Sequence, residues 1–237
     1  MESSRSRTAR LIRLGRIPYP EARRLQEAIY RSLRAGEAGD GALLLLEHPD
    51  TITIGRQPDS ERHLLAPREE LCRLGIDLIR ADRGGDVTYH GPGQLVAYSI
   101  LPLRFYRKDV GWYLRQLETV GIETCRALGI RAARAEGMTG VWTDRGKVMA
   151  IGVGVGGWVT YHGAALNCET DLSRYDLIVP CGLADTRVTS LSELARRSVS
   201  VDEAAGHFAA AFARAFGIDR LVEVPAPAPA PEGVPAC

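Results

Sequence analysis

The sequence predicts an α/β fold of the α+β type, and three observations carry that reading. Apolar runs of strand length recur at 43–46, 95–101 and 147–155, bounded by Gly, Pro or Asp. Segments between them carry apolar residues at helical spacing behind helix-start signals. A glycine-rich polar stretch, Arg83-Gly84-Gly85-Asp86-Val87-Thr88-Tyr89-His90-Gly91-Pro92-Gly93-Gln94, follows neither period and separates a short strand from a buried one. The chain has 237 residues, 45% hydrophobic and 25% charged, which suits one domain with a substantial core.

Taken in order, Ala9 to Gly15 alternates as a first strand. Pro20 suits the first turn of a helix that carries Leu25, Ala28, Ile29 and Leu33 and ends at Gly36. Leu43 to Leu46 and Thr51 to Gly55 read as strands around a turn at His48-Pro49-Asp50. Pro67 opens a short helix through Leu71 and Leu74, and Asp77 to Arg80 is a strand. Asp109 caps a helix with Trp112, Leu117, Val120, Cys125 and Leu128 on it, weakened slightly by Gly111 and Gly121. Val141 to Thr143 and Lys147 to Val155 form a hairpin, and Trp158 to Cys168 continues as strand. Asp171 to Tyr175 is a loop or short helix, and Leu177-Ile178-Val179 is an apolar strand. Ser190-x-x-Glu193 and Ser200-x-x-Glu203 are capping boxes. In the second helix Ala204, Phe208, Phe212 and Phe216 share one face. Leu221 to Val224 is strand-like. Residues 225–237 alternate alanine and proline and are expected to form a disordered tail to a single domain over 1–224.

Composition excludes several classes. A net charge of +1 carries no nucleic-acid signature. No apolar run approaches the ~20 residues of a membrane span. Met1 to Arg10 lacks the apolar region of a secretory signal. Five cysteines form no CxxC and no zinc spacing, so reduced thiols in the cytoplasm, no metal and no cofactor are expected. Of 30 basic residues only Lys108 and Lys147 are lysine, so a titratable amine is available in two places.

The central stretch reads as a binding surface. Its glycines let a ligand approach backbone, while Arg83, Thr88, Tyr89 and His90 point at it. Gly152-x-Gly154-x-x-Gly157 has the glycine spacing of a dinucleotide fingerprint, but strand-like residues follow where a helix is required, so nucleotide binding is rejected. Gly152, Gly154 and Gly156 instead share one strand face, either as the floor of a channel for an unbranched chain or as a surface packed against a helix. Cys72 and Cys125 are expected in the core, and Cys168 is structural. Cys181, between Pro180 and Gly182 at a strand exit, has an accessible sulfur, and thiolates are the reactive form. Lys147 on a buried strand needs a partner or a proton-transfer role. His90 and His162, each between Tyr and Gly, are candidate bases, or they shape the pocket.

Arg83 to Gln94, Lys147 to Gly152, Trp158 to Asn167 and Ile178 to Leu183, in register, resemble the lipoyl(octanoyl) transferase family. The similarity runs from about the first strand to Leu194. It implies the fold of the biotin and lipoate protein ligases, a mixed sheet flanked by helices. It implies transfer of an octanoyl or lipoyl group from acyl carrier protein to a lysine of lipoyl domains, those of 2-oxoacid dehydrogenases and the glycine cleavage H protein. It implies that Cys181 carries the acyl thioester and Lys147 activates it. It further implies that Arg83, Gly84, Gly85, Asp86, Val87, Thr88, Tyr89, His90, Ala150, Ile151, Gly152, Gly163, Ala164 and Ala165 bind the acyl substrate, with His162 as a possible auxiliary group. Asp86 stands where the family usually has glutamine, and alanine fills 164 and 165 where a larger apolar residue is common. The alternatives are an ATP-dependent lipoate or biotin ligase on the same fold, a thioesterase, or a non-catalytic acyl-binding module.

Overall fold

Strands that read as unbroken apolar runs are covered on both faces. In chain order the elements are β1 (Thr8–Arg16), α1 (Tyr19–Ala35), β2 (Ala42–Glu47), β3 (Thr51–Ile54), α2 (Arg68–Arg73), β4 (Asp77–Arg80), β5 (Thr88–His90) and β6 (Gln94–Ile100). There follow α3 (Val110–Ala127), β7 (Ala133–Ala135), β8 (Met138–Thr143), β9 (Gly146–Gly156), β10 (Val159–Asn167), α4 (Leu191–Ala195), α5 (Val201–Phe216) and β11 (Arg220–Glu223). The structure is a computed structural model and describes residues 6–37, 39–182 and 186–226, apart from the side chain of Cys181. Most of the Ala/Pro tail, with Cys237, lies outside the described residues.

Among the described residues one sheet has eight strands in the order β11-β1-β2-β6-β10-β9-β8-β7, and a second has three, β4-β3-β5. The large sheet is mixed. β1 is parallel to β2 and β11, and the pairs from β2 to β7 are antiparallel. Side chains alternate across it. Leu43, Leu45, Leu95 and Ala97 face α3 and α5, where Phe208, Phe212 and Phe216 fill the core. Leu44, Leu46, Val96 and Tyr98 face α1 with Ile29 and Leu33. A strand buried on both faces shows no polar alternation, which is why these runs are uniformly apolar.

The expected N-caps form, although the Glu193 and Glu203 carboxylates accept from Thr189 and Arg197 rather than completing the two boxes. The carboxylate of Asp109 accepts from the Trp112 N–H, and the hydroxyls of Ser190 and Ser200 accept from the Glu193 and Glu203 N–H groups. Each satisfies a donor that the helix cannot. Gly91-Pro92-Gly93 is a turn but not that of a hairpin. β5 pairs with β3 in the small sheet, while β6 lies between β2 and β10 in the large one. The turn is the crossing point between sheets, so the polar segment before it is pressed against the large sheet.

Three expectations are corrected. Leu177-Ile178-Val179 is not a strand: Leu172–Leu177 is a 3₁₀ turn, Ile178 makes a single bridge to Leu64, and Pro180–Gly182 is another 3₁₀ turn. Its apolar residues serve the small core of Ile52, Ile54, Leu71 and Tyr89 rather than a ladder. Cys72 is exposed, because α2 turns Leu71 inward and its next residue outward. Trp158 sits in the turn before β10 with φ 62 and is 40% exposed.

Gly163 shows how tightly β6 and β10 meet: a Cβ there would overlap the Ala97 carbonyl oxygen. Gly163→Ala should therefore cost about 1–3 kcal/mol or more of stability, the range for overpacking a well-filled interior. Urea unfolding checks this. Gly84→Ala, whose Cβ would stand 3.2 Å from the nearest atom, should cost much less.

Candidate active site

The polar stretch at 82–86 is held by both sheets. Arg56 N–H donates to the Arg83 carbonyl at 3.0 Å and Gln57 N–H to that of Gly85 at 3.2 Å, which ties the loop to the chain leaving β3. On the other side Gly84 N–H donates to the Val153 carbonyl of β9 at 2.8 Å. A Cβ at Gly55 would overlap the Gly85 carbonyl, so the approach requires glycine. The Arg83 guanidinium is turned toward β3, with Nη2 donating to Thr53 O at 2.7 Å and to Thr53 Oγ1 at 2.8 Å. It spends its donors on the protein and contributes its stem to the wall.

Between this loop and the large sheet lies a cavity of about 290 Å³. Its sheet side is Ala150, Ile151 and Gly152 of β9, Gly163, Ala164 and Ala165 of β10, and Val96 and Tyr98 of β6. Its loop side is Arg83, Gly85, Asp86, Val87, Thr88 and His90. The walls are small or apolar side chains and backbone. Lys147 lies at one end and Tyr19, Tyr98 and His162 at the other, because Gly163 pairs with both Gly152 and Tyr98 while Lys147 precedes them on β9.

Two of the expected binding residues do not line it. Tyr89 points to the opposite side of β5, where its hydroxyl donates to Asp50 Oδ1 at 2.7 Å. Gly84 contributes its hydrogen bond to β9 instead. The glycine face of β9 is divided. Gly152 borders the cavity against Arg83, whereas a Cβ at Gly154 would strike the Tyr161 ring and one at Gly156 the Tyr30 hydroxyl. The channel floor is therefore Gly152, and the remainder is packed by aromatic rings, one of them from α1.

Lys147 is 6% exposed at the start of β9. Its N–H donates to Arg187 O at 2.8 Å and its carbonyl accepts from Thr189 N–H at 3.0 Å, so residues 187–189 run beside it. Its Nζ stands 4.5 Å from the centre of the Trp142 ring, where a cation is attracted to the π face. Residue 181 lies in the Pro180–Gly182 turn; its side chain is outside the described residues, and with it the expected approach to Lys147. The backbone of that turn abuts the cavity wall, since a Cβ at Gly182 would stand 2.5 Å from Asp86 Oδ2.

The far end is polar yet uncharged. Burial pushes His90 down to about 3 and His48 down to about 4. Nδ1–H of His48 donates to Ile17 O at 2.7 Å, which leaves Nε2 to accept from the Tyr98 hydroxyl at 2.7 Å. His90 Nδ1–H donates to Gln94 Oε1 at 2.8 Å. His162 is also lowered by burial, against the pull of Asp82, whose Oδ1 accepts from Nε2–H at 2.8 Å. Asp82 itself is held well below the usual carboxylate range by that bond and by Arg23 of α1. Burial raises Tyr19 to about 12. These rings are neutral at ordinary pH, and the His162–Asp82 contact ties the loop to β10.

Sequence reading missed Tyr19, Gln57, Tyr98 and Gly137-Met138-Thr139, where the β7–β8 turn enters β8, all of which line the cavity. It missed Asp82 and His63 as well. Asp82 directly precedes Arg83 and its glycine pair, which was a usable signal; the others come from distant segments and left none. Cys125 and Cys168 are buried, with thiols pushed up to about 12, as inert core residues require. Among the described residues no helix is long and apolar enough to cross a membrane.

Comparison with known proteins follows this geometry. The lipoyl protein ligase A/B catalytic domain family matches residues 18–213. An octanoyltransferase of Solibacter usitatus is 50% identical over 211 residues, 89% of this chain and 94% of that one. One from Roseiflexus sp. is 46% identical over 213 residues, 87% of this chain and 88% of that one. Among solved structures, lipoate-protein ligase A bound with ATP has a TM-score of 0.78 at 21% identity, covering 93% of this chain and 90% of that one. A putative lipoate protein ligase from T. acidophilum with bound lipoic acid has a TM-score of 0.75 at 21% identity, with coverage of 93% and 90%. At that identity the two ligases speak to the fold: this is the mixed sheet with flanking helices that they share. The sequence relatives speak further, and the chain belongs to the octanoyltransferases of the lipoyl protein ligase A/B catalytic domain family and is a transferase enzyme.

Proposed function

We propose that residues 1–224 form one catalytic domain that moves an octanoyl or lipoyl group from the pantetheine thioester of acyl carrier protein to a lysine of a lipoyl domain. The acceptors on this reading are the lipoyl domains of 2-oxoacid dehydrogenases and the glycine cleavage H protein, in the cytoplasm. The observation that carries it is the shape of the cavity. A narrow space of about 290 Å³ runs along β9 and β10 from Lys147, floored by Gly152, Gly163, Ala164 and Ala165. It is at the small end of ligand pockets, typically about 300–1,000 Å³, and suits an unbranched acyl chain rather than a nucleotide.

The chemistry runs in two exchanges. The Cys181 thiolate attacks the thioester carbonyl; the carbon–sulfur bond to pantetheine breaks, and the departing sulfur takes a proton from Lys147. The acceptor amine then attacks the Cys181 thioester, gives a proton to the Lys147 amine, and expels the thiolate. One thioester replaces another in the first exchange, so no ATP is consumed. Gly152, Gly163 and the alanines let the chain lie against backbone, and the neutral far end places no charge beside its tail. Asp86, Val87, Thr88 and His90 close the loop side. Tyr89 and Gly84 act behind the wall.

Incubation with octanoyl-acyl carrier protein should add one octanoyl mass to the enzyme. The adduct should map to Cys181 and be released by hydroxylamine. Cys181→Ser should lose the thioester. An adduct unchanged by that substitution would sink the assignment.

Lys147→Arg separates charge from proton transfer. Arginine keeps the positive charge but does not give up its proton at working pH. Alkylation of Cys181 by a small electrophile should persist, while transfer to the amine falls about 10²–10⁴-fold, the usual worth of general acid–base catalysis. Turnover within a few-fold of the parent would remove Lys147 from the proton path.

A further inference from the structure

A second carboxylate–histidine pair sits at the opposite end of the 82–86 loop from Asp82 and His162. The Asp86 side chain is 1% exposed, its Oδ1 accepts from the Val87 N–H at 2.7 Å, and its Oδ2 lies 2.7 Å from Nδ1 of His63. Neither atom of that last contact has an aligned hydrogen bond, and the two groups are in close packing contact. A carboxylate taken this far from water needs a compensating partner, and His63 is positioned to be it.

His63 is joined to the nucleophile turn as well. Its carbonyl accepts from the Val179 N–H at 2.7 Å, and the Gly182 N–H donates back to the Val179 carbonyl at 3.0 Å. A Cβ at Gly182 would stand 2.7 Å from Cε1 of the imidazole, so the ring rests on the backbone of the turn. Gly182 has φ 67, which a glycine takes without strain. Asp86 also lines the acyl cavity. The imidazole is thus wedged between the cavity wall and the turn that carries residue 181.

We propose that His63 and Asp86 are positioning residues for acyl transfer: the buried carboxylate holds the imidazole against Pro180–Gly182, and the imidazole sets where residue 181 stands at the cavity mouth. The catalytic consequence rests on the proposed role of Cys181; the structural part does not.

The test uses the full chain with Asp86→Asn, which keeps shape and removes charge, and with His63→Gln and His63→Ala. Hydrogen exchange at the Val179 and Gly182 amides should speed up about 10-fold or more in Asp86→Asn and His63→Ala, with the thermal midpoint and exchange in β9 and β10 little changed. The rate of transfer from octanoyl-acyl carrier protein should fall about 10–100-fold in kcat, the scale on which a misplacement of about 1 Å acts, with KM for the donor within a few-fold. His63→Gln should recover part of both losses. The double variant Asp86→Asn with His63→Ala should be no worse than His63→Ala alone, because the two act as one unit. Unchanged exchange at Val179 and Gly182 overturns the inference, as does a rise in KM with kcat preserved, which would make Asp86 a substrate contact. If the parent forms no acyl adduct on Cys181, the transferase chemistry proposed above fails, and the exchange data still decide whether the pair holds the turn.

Discussion

The site depends on one close approach. Backbone at 83–86 lies within hydrogen-bonding distance of the chain leaving β3 and of β9 at the same time. Two sheets therefore meet without a side chain between them at Gly55, Gly84 and Gly85, and the cavity is the space left where they part. A loop with exposed backbone groups is costly to bury unless each finds a partner. Here the partners come from both sheets, and Arg83 uses its guanidinium on Thr53 to close the remaining gap. The wall meets its ligand with its backbone hydrogen bonds already made within the protein.

The ionisable groups around the cavity find their partners within the protein. Asp82 and Asp86 bracket the loop, and each is paired with a histidine, His162 at the far end of the cavity and His63 behind its wall. His48 and His90 are neutral through burial, and the tyrosine hydroxyls do not ionise. An apolar ligand gains most where it displaces water from uncharged walls. Lys147 stands at the opposite end, with its Nζ over the Trp142 ring.

Much of this was legible in the sequence. The order of strands and helices followed from apolar runs and caps, because caps are local and the core is covered on both faces. The wall at Arg83–His90, apart from Gly84 and Tyr89, was legible in its density of glycine and polar residues, whereas Ala150–Gly152 and Gly163–Ala165 were expected through the family resemblance. Direction was harder to read. Tyr89 was expected to face the ligand and faces Asp50 instead, since alternation along a three-residue strand depends on which sheet it joins, and that is a long-range matter. Cys72 was assigned to the core from apolar neighbours, but a helix of six residues on the surface buries only one of them. Ile178 looked like strand because apolar runs of that length do not say whether a ladder partner exists. His63 was invisible: it is 23 positions from Asp86 and nothing in either neighbourhood names the other.

Lys147 and Gly152 share a strand, and this makes β9 a ruler. Five residue steps separate them, an odd interval that regular pleating would put on opposite faces. The register shift between Val141↔Met149 and Trp142↔Lys147 adds one residue to β9 and lets both border the cavity, at somewhat less than the roughly 17 Å of a regular strand at 3.3 Å per residue. That spacing belongs to the backbone and does not alter with rotamers. Side chains at 164 or 165 can narrow the cavity without moving its ends. Inserting one residue between Lys147 and Gly152 would do more than lengthen the measure, since it would turn the lysine to the other face of the sheet. Reach and chemistry are thus coupled through pleat parity, and drift in cavity length along a lineage has to pass through the side chains of the neighbouring strands.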